Sequence, residues 1–322
     1  MEKMTIEDHC WHIVLNTNAN EKKSERNWRP IAQLLARHGI RHELHVTHHA
    51  GEGIETARQL CNNGIRHLVA AGGDGTINEV VNGIFTSDAD PREVYMTVLP
   101  LGRGNDWVRT HLYPKKIEQV VELWRQGSFM QHDVGRVTTF DGNRQTGNRY
   151  FLNIAGFGFD ADVIYDVTHH TSHLFRLNTY VLSLIKTLFS HKPTPVEIST
   201  TDGFRYEGNI FMVIAAICQY NGGGIREAKY AVPDDGRLDL IVVPEVGILR
   251  VVKNLKEMFS GDHIDKIKEI RKALATEVTI SSPQLLRGET EGELLAFGNY
   301  HIELIPNSLN VLSNRPFPTV NG

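Results

Sequence analysis

Cysteine is scarce in this 322-residue chain, which has only Cys10, Cys61 and Cys218. No two share the close spacing of a zinc ribbon, and three thiols make no disulfide framework, so a reducing cytoplasm is the expected compartment. Long apolar runs are missing too. The longest, Ile210 to Cys218, is nine residues, about half of the ~20 that a helix needs to cross a bilayer. The opening Met-Glu-Lys-Met-Thr-Ile-Glu-Asp-His lacks the apolar stretch of a signal peptide. No transmembrane segment is expected. Strong charge of either sign is also absent. A net charge of −4 leaves no electrostatic footprint for nucleic acid. Hydrophobic residues at 41% and charged residues at 22% are ordinary for a globular chain. The length suits two domains, each with its own core, and no internal repeat or low-complexity segment interrupts them.

What is present is a cluster of glycines at one place. His67-Leu-Val-Ala-Ala71 reads as a buried strand, broken by Gly72, Gly73, Asp74 and Gly75. Thr76 is placed to cap a following helix, in which Ile77, Val80, Val81 and Ile84 recur at helical spacing and Gly83 loosens the end. Strand, glycine turn and helix N-terminus together make a site for phosphate: glycines let a ligand approach the backbone, and the helix dipole favours an anion. Asp74 repels a phosphate directly, but it suits a Mg²⁺ ion lying between carboxylate and phosphate.

The twelve residues Gly72-Gly-Asp-Gly-Thr-Ile-Asn-Glu-Val-Val-Asn-Gly83 resemble the nucleotide-binding signature of the diacylglycerol kinase catalytic-domain family. These are lipid kinases that include sphingosine and ceramide kinases, and the soluble bacterial members are the nearest in pattern. GGDG alone is shared with NAD kinases and phosphofructokinases; the full run is far more specific. The resemblance implies that Gly72, Gly73, Asp74, Gly75 and Thr76, with Asn78 and Glu79, bind the nucleotide.

Strands alternate with helices through the first part of the chain: strands at His12 to Asn16, Arg41 to Val46 and Val94 to Pro100 flank the central one. Helices are expected at Arg29 to Arg37, Gly51 to Asn63 and Lys116 to Arg125. This pattern predicts a doubly wound parallel α/β domain over 1–128 with ligands at the strand C-terminal ends. After Gly127, strand-like segments rich in Thr, Val, Ile and aromatics follow, among them Val134 to Val137, Tyr150 to Ala155, Asn209 to Ala216 and Leu238 to Val243. They predict a mainly β sandwich over 129–305, with the tail, about 306–322, returning to the first domain.

Further motifs follow the family's order. Asn16 and Thr47 stand where its members contact the nucleotide, although Thr17, Ala19 and Asn20 depart from its Asn-Pro-x-Ser-Gly turn. Leu101-Gly-Arg-Gly-Asn-Asp106 is similar to its Pro-x-Gly-Thr-x-Asn-Asp loop and implies nucleotide contacts from Gly102, Arg103 and Asn105. Arg103 replaces the usual Thr and can still reach a phosphate. Asp106 would join Asp74 near the metal, or cap the helix that follows, and Asp133 is placed by the resemblance beside them. Asn153-Ile-Ala-Gly-Phe-Gly-Phe-Asp-Ala-Asp162 and Tyr220-Asn-Gly-Gly-Gly-Ile225 also match. In Ala231-Val-Pro-Asp-Asp-Gly-Arg-Leu-Asp239 the resemblance implies a structural Mg²⁺ on the Asp235 carboxylate and the backbones of Val232 and Arg237. Glu291 and Glu293, in Glu289-Thr-Glu-Gly-Glu293, align with the Asp-Gly-Glu motif that supplies a base near the acceptor hydroxyl.

Leu174 to Phe189 carries two apolar helical stripes, suited to core packing or to a lipid surface. His45, His48 and His49, and His169, His170 and His173, have spacings that could hold metal, but neither group has cysteine support or a zinc-enzyme signature. The expected activity is an ATP- and Mg²⁺-dependent phosphotransfer to a lipid hydroxyl, above all that of diacylglycerol, by a cytoplasmic protein associating peripherally with membranes. A kinase for a soluble acceptor such as NAD, and a non-catalytic nucleotide- or lipid-binding module, are the alternatives. Assembly as a homodimer stays open at this point.

Overall fold

The computed structural model describes residues 6–17, 23–170, 186–247, 250 and 253–316. The chain divides into two compact units, Met1–His132 with Asn307–Gly322, and Asp133–Pro306.

In the first unit, strands β1 (Cys10–Asn16), β2 (Arg41–Thr47), β3 (His67–Gly72) and β4 (Tyr95–Pro100) pair in the order β2-β1-β3-β4. All of these pairings are parallel. The helices between and after them are α1 (Lys23–Arg37), α2 (Glu52–Asn62), α3 (Asp74–Phe85), α4 (Asp106–Thr110) and α5 (Ile117–Gln126). Trp11, Ile13 and Leu15 of β1 point to one face of the sheet and pack with Leu35 of α1 and Val120 and Trp124 of α5. The side-chain period of two therefore turns Cys10, His12 and Val14 to the opposite face. Asn310 and Val311 add a last parallel pairing against Tyr95 and Met96 of β4. This is the expected doubly wound α/β architecture. One detail differs. Gly83 does not loosen the end of α3 but lies buried within it. A Cβ there would stand 2.4 Å from the Ile54 carbonyl oxygen and 2.6 Å from Ala57 Cβ, so the glycine is what lets α2 and α3 cross closely.

The second unit is built from antiparallel strands: β5 (Ser128–Asp141, which starts in the first unit), β6 (Arg144–Phe151), β7 (Ile154–Gly158), β8 (Thr194–Thr200) and β9 (Arg205–Ala216). After them come β10 (Leu238–Pro244), β11 (Arg271–Ala275), β12 (Glu277–Ser281), β13 (Gly288–Thr290), β14 (Glu293–Leu294) and β15 (Asn299–Ser313). β9 is the organising strand. Its first half pairs with β8, its second with β7 and β10. Helix α6 (Phe159–His170) follows β7 directly and sends Phe159 and Val163 into a core with Phe211, Ile214 and Ile241. Of the Leu174 to Phe189 stripes only residues 186–189 are described, with Leu188 buried and Phe189 exposed. Ala19, Asn20, His173 and the tail from 317 onward also lie outside the described residues. Among the described residues no helix is long and apolar enough to cross a membrane.

Candidate functional site

At the C-terminal end of β3 the chain turns through Gly72 and Gly73 and enters α3 at Asp74. Gly73 holds the N-cap position, and the amides of Thr76 and Ile77 donate to its carbonyl at 2.9 and 3.1 Å. Thr76, expected as the cap, lies one turn further in. Its hydroxyl accepts instead from Asn16 Nδ2 at 3.3 Å, which ties the tip of β1 to the glycine loop. The glycines have different reasons to be there. A Cβ on Gly72 would strike the Thr76 side chain at 2.1 Å, whereas one on Gly75 would meet nothing within 4 Å. Gly75 faces open space at the start of a twelve-residue helix, where amides and dipole favour an anion.

The second glycine loop leans on the first. The amides of Leu101 and Gly102 donate to the Gly72 carbonyl at 2.8 and 3.1 Å. A Cβ on Gly102 would lie 2.3 Å from Gly73 Cα, so the two backbones touch. Asn105 then takes a left-handed conformation (φ 50°, ψ 50°) as N-cap of α4, donating from Nδ2 to the Gly102 carbonyl at 2.9 Å. Asp106 is the first helical residue rather than the cap, and its Oδ1 lies 3.3 Å from Arg109 Nε. The carboxylate at the α4 N-terminus comes from elsewhere: Asp74 Oδ1 accepts from the Trp107 amide at 3.1 Å. Burial pushes the Asp74 carboxyl above its ordinary range, against the opposing pull of the amides around it. A half-buried carboxylate so placed favours a cation beside it. The Asp106 carboxyl, and the buried Asn105 Oδ1 that accepts no hydrogen bond, supply further hard oxygen donors of the kind Mg²⁺ takes. Arg103 is exposed on this loop.

Other residues expected at the nucleotide brace the loops. Thr47 ends β2 buried, with its hydroxyl donating to the Leu15 carbonyl at 3.3 Å. Asn78 is fully buried in α3 and accepts from Asn82 Nδ2. Glu79 reaches the N-terminus of α2, where its two oxygens accept from the amides of Gly51 at 2.7 Å and Gly53 at 3.0 Å. Replacing Glu79 by alanine strands two amides at a helix start. We expect Glu79→Ala to cost about 2 kcal/mol in a urea-unfolding measurement.

In the second unit, Glu291 and Gly292 form the two-residue turn between β13 and β14, with φ of 53° and 86°. Both positive values mark the type I′ hairpin. Glutamate is uncommon in that conformation, and here its Oε1 is held by the amides of Leu152 at 2.6 Å and Asn153 at 2.7 Å. Glu293 opens β14 and is exposed. Sequence reasoning passed over the group beside them. Glu289 is fully buried, accepts from the Gly292 amide at 2.7 Å and shares its surroundings with buried Asp160. A Cβ on Gly156 would sit 2.5 Å from Asp160 Oδ2 and 2.8 Å from Glu289 Oε1. Asn221 Nδ2 donates to Asp160 at 3.0 Å. Burial first, then the Asp160 charge, hold the Glu289 carboxyl far above its ordinary range. The signal was Asp160 and Asn221 falling in two separate glycine motifs. A raised folded pKa means the folded state binds the extra proton, so stability falls as pH climbs above the ordinary carboxylate range. Glu289→Gln should flatten that fall, read as thermal midpoints across a pH series.

Asp133 is buried, with its amide donating to Pro233 O at 2.8 Å and its Oδ2 accepting from the Gly236 amide at 2.7 Å. The structure thus ties it to the Val232 to Arg237 turn. In that turn Asp235 is exposed and Oδ1 accepts from the Arg237 amide at 2.9 Å. Burial, with Asp235 as a like charge, lifts Asp239 to about 6. The like charge of Asp235 is of the kind that a hard cation between carboxylates would relieve. Asp162, Tyr165, His191 and Arg287 line a cavity of about 420 Å³. Asp162 accepts from His191 Nδ1 at 2.8 Å and Arg287 Nη1 at 2.6 Å. Burial works to raise its carboxyl, but these two partners outweigh it and hold it low. Arg287 also lies over the rings of Tyr165 and Phe297, and exposed Leu285 stands at the cavity's edge.

Comparison with known proteins bears on both units. Residues 10–137 match the diacylglycerol kinase catalytic domain, and residues 153–313 match the YegS C-terminal NAD kinase beta sandwich-like domain. A diacylglycerol kinase of Bacillus subtilis is 27% identical over 282 residues, covering 87% of this chain and 88% of its own. A diacylglycerol kinase of Staphylococcus carnosus is 26% identical, covering 88% and 90%. A solved structure of a Bacillus anthracis diacylglycerol kinase superposes with a TM-score of 0.70 at 21% identity, covering 98% of each chain. Yeast NADH kinase complexed with NADH shares the fold more distantly, with a TM-score of 0.51 at 9% identity, covering 98% of this chain and 85% of its own.

Proposed function

The chain belongs to the diacylglycerol kinase catalytic-domain family, phosphotransferases with an alcohol acceptor, and on that premise we propose that it transfers the γ-phosphoryl group of ATP to a lipid hydroxyl, that of diacylglycerol, giving phosphatidic acid. The observation that carries the reading is the pair of interlocked glycine loops, with Gly75 facing open space at the α3 N-terminus and the half-buried Asp74 carboxyl beside it. ATP phosphates lie along the amides at Gly73 and Gly75, with Thr76, Asn16 and Asn105 as polar neighbours and the exposed guanidinium of Arg103 on the second loop to meet a phosphate oxygen. Asp74 and Asp106 hold Mg²⁺, which when bound neutralises charge on the phosphates. Asp235, with the backbones of Val232 and Arg237, holds a second, structural Mg²⁺.

Transition states of phosphoryl transfer are loose, so orientation and charge neutralisation matter more than the strength of the base. The bond from the γ-phosphorus to the bridging oxygen breaks, ADP leaves, and the lipid oxygen takes the phosphoryl group. Its proton passes to Glu293, whose carboxylate is exposed. Glu291 acts as a positioning residue, since its carboxylate is engaged by two amides. The acceptor's polar head suits the cavity of Asp162, His191 and Arg287, with its tails toward Leu285. The protein works from the membrane surface.

The test is transfer from γ-labelled ATP with Mg²⁺ to diacylglycerol, a polyprenol and a sphingoid base in mixed micelles, with soluble NAD alongside. Label on diacylglycerol is expected. Label on NAD alone would move the protein to the soluble-acceptor kinases, whose fold it shares at a distance. ATP binding without transfer to any acceptor would leave it a binding module.

A further inference from the structure

We propose that Cys10, His12, Glu43 and His45, on the opposite side of β1 from its packed core, form a binding site for a divalent transition-metal ion of the zinc class. The parallel register of β1 and β2 sets His12 beside Glu43 and carries His45 two pairs further along, opposite Val14. Because side chains alternate, all four residues emerge on the same face. His12 Nδ1 stands 3.0 Å from His45 Nε2 and 3.7 Å from Glu43 Oε2. Ligand atoms of Cys10, His12 and Glu43 all lie within 4.8 Å of one another. Two nitrogens on one tetrahedral zinc are about 3.3 Å apart, given bonds of about 2.0–2.1 Å. The histidine pair is therefore nearly at ligand spacing already. Thiolate, two imidazoles and a carboxylate are a zinc-type donor set, and the thiolate and carboxylate together neutralise the dication.

The protons can be accounted for. The two facing nitrogens share one hydrogen bond, so one ring carries its proton there. Moving that proton to the ring's far nitrogen frees a lone pair on each imidazole. Only the Cys10 thiol must release a proton, to solvent. Arg41, the other charged side chain of this register, donates to the Asp8 carbonyl at 2.6 Å. Exposure runs from buried His12 through half-buried Cys10 and His45 to exposed Glu43, which leaves a path for the ion. Read along the chain, His45 has His42, His48 and His49 near it, but the thiol and the second imidazole of the site come from a different strand.

The site stands apart from the glycine loops, and its test uses no measurement of phosphotransfer. The full chain, stripped with a chelator, is titrated with Co²⁺ and followed by absorption. One equivalent is expected to give the intense visible bands of a tetrahedral site with a thiolate charge-transfer band, displaced by Zn²⁺. Cys10→Ser should lose the thiolate band, and His45→Gln should weaken binding by about 10²-fold or more. A spectrum without the thiolate band, or one that persists in Cys10→Ser, would overturn the assignment. Thermal midpoints give a second reading that needs no colour: Zn²⁺ should raise that of the wild type but not that of His45→Gln. Equal rises in both, or none in the wild type, would also overturn it.

Discussion

Asp74→Asn is expected to reduce phosphoryl transfer about 10³-fold, roughly 4 kcal/mol in the barrier, while the protein stays folded. The substitution is chosen for what it keeps. An asparagine Oδ1 still accepts from the Trp107 amide, as the carboxylate does at 3.1 Å, so the start of α4 and the loop that carries Asp106 stay where they are. Only the charge is removed, and with it the ligand of a hard cation. Stability should hold or rise. Burial already penalises the ionised carboxyl and lifts its folded pKa, so in the ligand-free protein this group costs stability as pH climbs above the ordinary carboxylate range. The neutral amide escapes that cost. The measurements are initial rates with γ-labelled ATP and thermal midpoints at acid and neutral pH. Full activity in the variant would remove Asp74 from the metal-binding role. Lost activity with a lowered midpoint would make it a helix cap and nothing more.

Whatever is local in the chain could be read from it. The strand, the glycine turn and the helix around Asp74 lie within nineteen consecutive residues from His67 to Phe85, and both the α/β class and the family follow from that stretch and its companions in order. What depends on register or on distant packing could not. Nothing near Glu79 in sequence announces that its carboxylate caps α2 through Gly51 and Gly53. Glu289 and Asp160 meet because β13 pairs with β7, and α6 starts where β7 ends. The same limit explains Gly83, whose meaning lies in Ile54 and Ala57 across a helix crossing. It also explains why Glu291 and Glu293, two residues apart, have opposite surroundings: the turn puts one against the amides of Leu152 and Asn153 and the other in solvent.

Gly102→Ala is expected to abolish nucleotide binding and to cost about 4 kcal/mol of stability, at the upper end of what a single methyl does. The added Cβ would fall 2.3 Å from Gly73 Cα, 3.0 Å from Gly73 N and 2.8 Å from Asn105 Oδ1. Two of these are backbone atoms, so no rotamer change relieves the clash. The loops can only part. Parting them breaks the hydrogen bonds from Leu101 and Gly102 to the Gly72 carbonyl and shifts Asp106 away from Asp74. Gly75→Ala is the matching control. Its φ lies outside the left-handed region and its Cβ meets nothing within 4 Å, so folding should be indifferent, or slightly favoured by the helix propensity of alanine. The methyl then projects into the space assigned to phosphate, and ATP affinity alone should fall. Chemical denaturation and ATP titration of the two variants separate a glycine that holds the loops together from one that leaves room between them. If Gly75→Ala bound ATP as the wild type does, the phosphate would have to lie elsewhere than on the α3 N-terminus, and the loop's resemblance to a nucleotide cradle would be a matter of packing.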